Sequence, residues 1–159
     1  MSCDVAAAAF LFLASASPSA PHPMLQLAVA AAPSSVAHEP LFADIVGRAG
    51  KLKKEIEAYR KAPLASSATP VALAHWDAIE KQVAELSALD MQGHLELAKR
   101  GTDGDLKCIL KGISQDLPVK LKGVQEAKSG KAQDSALNEM AYLLNDNVEV
   151  ITKPPIPTV

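Results

Sequence analysis

The chain has 159 residues with 16 Lys and Arg against 18 Asp and Glu, a formal charge of −2, and this mixed balance gives no electrostatic footprint for nucleic acid or an anionic membrane. Its length suits one domain, and the excess of Ala, Leu and Val over aromatics favours helices. Two cysteines are too few for a disulfide scaffold.

Residues 1–37 contain no Lys or Arg and are dominated by Ala, Ser and Pro. The apolar runs Val5–Ala14 and Met24–Ala32 are short for a bilayer span, whereas a short apolar run followed by small residues is what a secretory signal needs. We therefore expect a signal or leader segment over 1–37, cut after Ala37 or after Ala16, and an exported protein, periplasmic or secreted. Asp4, where a signal normally carries positive charge, runs against this pattern. The alternative is an Ala/Pro-rich arm on a domain that stays inside the cell. Removal of the leader also takes away Cys3, leaving Cys108 as a lone thiol. No stable membrane insertion is expected after that removal.

The composition changes at Pro40, and a helical domain is expected over 38–153. Phe42, Ile45, Ala49, Leu52, Ile56 and Tyr59 form one apolar stripe, with Lys51, Lys53 and Lys54 on a solvated face. Ala62–Thr69 reads as a loop, after which Thr69-Pro70 opens a second helix, Thr as cap and Pro at the first position. On that helix Trp76, Ile79, Val83, Leu86, Asp90, Gly93 and Leu97 share a stripe. Gly101 suits the left-handed position that ends it, and Thr102 with Asp105 has capping-box spacing for the third. Leu106, Leu110, Ile113, Leu117, Leu121 and Val124 continue the pattern on the third helix. Pro118 there leaves the Ser114 carbonyl without its helical partner. Ser129-Gly130 ends this helix, and a fourth, from near Ala132, carries Leu137, Met140, Leu144, Asn147 and Ile151. Pro154 and Pro155 stop it, with 154–159 a Pro-rich tail. The fold class expected is all-α, an antiparallel up-down-up-down four-helix bundle behind a non-globular leader.

Each residue adds about 1.5 Å along a helix, so folding back at the turns places Asp90, Ser114 and Asn147 at one height, with Phe42 and Asp44 close to it. Asp90, Gly93 and Asn147, the breaks in the apolar pattern, thus gather in one half of the bundle, with Asp116 and Asn145 in the same zone. One reading is structural: a buried Asp with Asn147 and Ser114 fixes helix register. The other is metal. Asp90, Met91 and His94 can face one way on a helix, Cys108 and Asp44 could add ligands from other helices, and His38 would become an N-terminal chelator after cleavage at Ala37. Such donors would suit copper or zinc. No paired Cys or His spacing of a structural zinc site accompanies them. For catalysis, His94 with Asp90 and Cys108 is the one dyad-like grouping. Cys108 is otherwise a small apolar core residue.

The stretch Leu106–Ile151, with Gly112-Ile113, Ala127-Lys128-Ser129-Gly130-Lys131-Ala132-Gln133 and Leu144-Asn145-Asp146-Asn147-Val148, resembles exported bundles of the cytochrome b562 and cytochrome c′ type. The resemblance implies the bundle fold and a cofactor at the end where the polar residues collect. The chain has no Cys-x-x-Cys-His sequence, no Met on the first helix and no His on the last, so it lacks those families' haem ligands. The function expected is a non-catalytic binding or accessory module for an unknown protein or small ligand, with homodimerisation possible. The alternatives are a purely structural bundle without a ligand, and an enzyme using His94 and Cys108.

Overall fold

In a computed structural model of the chain, which describes residues 36–61 and 63–153, four helices follow a short 3-10 turn at Val36–His38. They are α1 (Pro40–Tyr59), α2 (Trp76–Arg100), α3 (Gly104–Gln125) and α4 (Gly130–Thr152). Among the described residues, none is long and apolar enough to cross a membrane. Neighbours pack in a ring, α1 on α2, α2 on α3, α3 on α4 and α4 back on α1, which leaves α2 and α4 as a diagonal pair that makes no close backbone approach. This is the antiparallel four-helix bundle expected from the short connections.

The stripes read from spacing are the buried faces. Phe42, Ile45, Ala49, Leu52 and Ile56 of α1, and Ile79, Val83, Leu86, Asp90, Gly93 and Leu97 of α2, are all buried. The α3 stripe is buried except Leu121, which is half-buried. Val36 is buried and Ala37 packs against the core, so residues before His38 already belong to the packed bundle.

The ends of the helices depart from expectation in three places. α2 starts at Trp76, not Pro70, because the preceding backbone is held by side chains of other helices. Gln133 accepts from the Val71 N–H and donates to the Val71 carbonyl, both at 2.9 Å, and the Tyr59 hydroxyl donates to the Ala74 carbonyl. With its polar groups satisfied from outside, this strap gains nothing by coiling. At the central turn Gly101 takes the left-handed conformation and donates to Leu97 and Ala98, as expected. The cap of α3, however, is Asp103 with φ 49°, with no side-chain capping bond, so the Thr102 box does not form. Finally, Gly130 opens α4 rather than closing α3, with Ser129 capping through the Ala132 N–H at 3.2 Å.

The proline defect in α3 has a partner on α2. Pro118 cannot donate to the Ser114 carbonyl, and the Ser87 hydroxyl donates to it instead at 2.6 Å. Ser87→Ala should therefore cost about 1–2 kcal/mol in urea unfolding. Pro118→Ala returns a backbone N–H to that carbonyl, so the same change in a Pro118→Ala background should cost clearly less. Equal losses in the two backgrounds would show that the Ser87 bond does not serve this carbonyl.

Candidate functional site

Helical spacing turns Asp90 inward on α2 and Asn147 inward on α4, and the two meet across the bundle axis. Asn147 Nδ2 donates to Asp90 Oδ2 at 2.9 Å, and both side chains are 0 % exposed. The bond spans the diagonal that the helix backbones leave open. The convergence expected from residue heights is thus what the tertiary packing produces. Gly93, one turn along α2, makes room for the neighbouring layer. A Cβ placed there would meet Leu110 Cδ1 at 3.1 Å, Phe42 Cε1 at 3.3 Å and Ile45 Cδ1 at 3.4 Å.

Burial makes the charged form of Asp90 costly and pushes its pKa up to about 7, against which the Asn147 bond acts in the opposite direction. Asp90 Oδ1 and Asn147 Oδ1 have no hydrogen-bond partner. The chemistry of this centre is that of a carboxyl held close to neutrality in an apolar interior.

The other residues expected to join it do not. Ser114 is buried, but its hydroxyl donates back to the Lys111 carbonyl at 2.7 Å. His94 is half-buried, and its Nδ1 lies 2.8 Å from the Lys107 carbonyl; since a carbonyl only accepts, Nδ1 carries the proton. Met91 is half-buried beside Asp90 in sequence, and His38 is exposed. Cys108 is half-buried on α3 and disulfide-bonded, which corrects its reading as a lone thiol: the sulfur has no thiolate to offer a metal or a substrate. Asp44 forms a surface pair with Arg48 at 2.9 Å, Asn145 accepts from Lys53 at 2.9 Å, and Asp116 is exposed. Among the described residues, no three His, Cys, Asp or Glu side chains come together to hold a metal ion. The grouping of Asp90, Met91, His94 and Cys108 therefore does not assemble. Sharing a height on the bundle is not sharing a depth: Asp90 sits on the axis, and His94 reaches sideways to α3.

Sequence reasoning missed Gln133, which is buried and ties the strap to α4. Running the α4 stripe one turn back from Leu137 finds it, at the same three- and four-residue steps. Beside this amide lies an open cleft of about 470 Å³, lined by the strap from Pro70 to Leu73 together with Trp76, Val124, Gln125 and Gln133. It lies where α2 starts and α3 stops, away from Asp90 further along α2. Trp76 packs edge-on against Tyr59, ring centroids 5.9 Å apart, and its indole N–H is buried without a partner. Compared with known protein families, curated proteins and solved structures, the chain matches none.

Proposed function

We propose that this chain is an exported, non-catalytic helical bundle that serves as a binding or accessory module, meeting its partner with its outer surface. The observation that carries this reading is the closure of the polar layer. Asp90 and Asn147 are 0 % exposed and already bonded to each other, so a ligand or metal ion would have no route to them through the packed stripes. That argues against the interior as the place where copper, zinc or a small ligand is held, and leaves the helix faces and the end cleft near Trp76. The bonding of His94 to a backbone carbonyl takes support away from a His94/Cys108 enzyme. The likeness to exported cytochrome-type bundles is kept here for its architecture, without the cofactor.

Export rests on the Ala-, Ser- and Pro-rich residues 1–37 and their lack of Lys and Arg. The test is native mass spectrometry of protein purified gently from its own host, together with metal analysis and an absorption spectrum. The expected result is a complex with a second protein chain and no stoichiometric metal. A solitary chain carrying stoichiometric copper or zinc would refute the outer-surface reading, and an uncut chain in the cytoplasmic fraction would refute export.

A further inference from the structure

At the bundle's centre two oxygens stand without partners, Asp90 Oδ1 and Asn147 Oδ1, on the very groups joined by the Nδ2–H···Oδ2 bond. A carboxyl and a carboxamide are both planar and have nearly the same span between their two polar atoms, so a bond along one edge tends to align the other. With an ionised carboxyl, that second edge opposes two bare acceptors in an apolar interior. With a proton on Asp90 Oδ1, it becomes an O–H···O bond that satisfies both at once. We propose that Asp90 is a neutral carboxylic acid in the folded bundle, joined to Asn147 by two antiparallel hydrogen bonds, and that loss of its proton loosens the bundle.

The surroundings give the ionised form little help. On α2, His94 is turned to the Lys107 carbonyl, and on α1 Asp44 and Arg48 pair with each other at the surface. Lys107, Lys111 and Asp116 of α3, and Asp146 and Glu149 of α4, are half-buried or exposed. The Asp90 carboxyl is shifted by burial and by the Asn147 bond, with no charged neighbour contributing. The adjoining layer is tight as well, as the contacts around Gly93 show.

On ionisation the proton goes to solvent and the O–H···O bond is lost. The ordinary carboxyl value is 3.8 and the folded value about 7, so between them the folded chain holds one more proton than the unfolded chain. The contribution is complete below about pH 4 and is lost as pH rises through about 7, so stability falls with pH across this window.

The test is urea unfolding of the full chain and of Asp90→Asn from pH 4 to pH 8. The variant substitutes an amide–amide pair of the same shape with no proton to lose. The folding constants of the two should be similar near pH 4, and their ratio should then move in the variant's favour by roughly tenfold per pH unit up to about pH 7. A variant equally weakened at pH 4 and pH 8 would overturn the proposal. A second measurement stands independently of that variant: carbon NMR of wild-type protein labelled at aspartate, with the Asp90 carboxyl assigned through its bonded backbone. A midpoint near neutrality supports the neutral pair, whereas titration complete below pH 5 would overturn it.

Discussion

Gly130→Ala is expected to unfold at a much lower urea concentration than the wild type, with a loss of roughly 3 kcal/mol or more. Helix propensity argues the other way, since Ala is better than Gly in a helix by about 1 kcal/mol. Contact decides the sign. A Cβ on Gly130 would lie 1.9 Å from the Leu64 carbonyl oxygen and 2.8 Å from Ser67 Cβ. Because the nearest of these is backbone, no change of rotamer relieves it. The loop around buried Leu64 must move away from α4, and the Gly130 N–H bond to the Ser67 carbonyl at 3.1 Å goes with it. Gly112→Ala is the control, because a Cβ there meets nothing within 4 Å and should add up to about 1 kcal/mol. A Gly130→Ala midpoint at or above that of the wild type would mean that the loop does not approach α4 this closely.

The second large effect is expected at Phe42, where truncation to Ala should cost about 3–5 kcal/mol. The ring is 0 % exposed and fills the hollow that Gly93 leaves on α2, with Leu110 and Ile45 as the other walls. The two positions should be coupled. In the wild type, a Cβ at position 93 has to be accommodated by three neighbours at 3.1–3.4 Å, and Phe42→Ala removes one of them. The double variant Phe42→Ala with Gly93→Ala should therefore lose less than the sum of the two single losses, measured by urea unfolding in a double-mutant cycle. A Phe42→Ala loss under about 1 kcal/mol would be incompatible with a packed ring, and strict additivity would separate it from Gly93.

Both effects sit where a small residue lets two elements approach closely, and only one of those places could be anticipated. Gly93 lies on the α2 stripe, so its inward direction was readable from its spacing to Leu86 and Leu97. For Gly130 the local pattern points to a helix terminator, a role that glycine commonly has. The steric reason for glycine there lies in a loop more than sixty residues away in sequence, which no local pattern contains. The helix starts failed for a related reason. Thr69-Pro70 and Thr102 both have good local capping chemistry, yet the backbone after Thr69 is claimed by Gln133 and Tyr59, and Asp103 takes the cap position that Thr102 was expected to fill. Local propensity is worth about a kilocalorie per mole, and tertiary contacts exceed it readily.

The amino-acid order by itself determined four amphipathic rods, their inward faces, their antiparallel course and the common height of Asp90 and Asn147, because helical periodicity and turn positions are local properties. Only the tertiary structure decided which polar groups touch: Asp90 and Asn147 bond across the diagonal, while Ser114, His94 and Asp44 at neighbouring heights bond elsewhere. The physical reason is that spacing along a helix gives height and face. Depth towards the axis, and therefore solvent access, partner and protonation, is set by how four side-chain surfaces fill one interior.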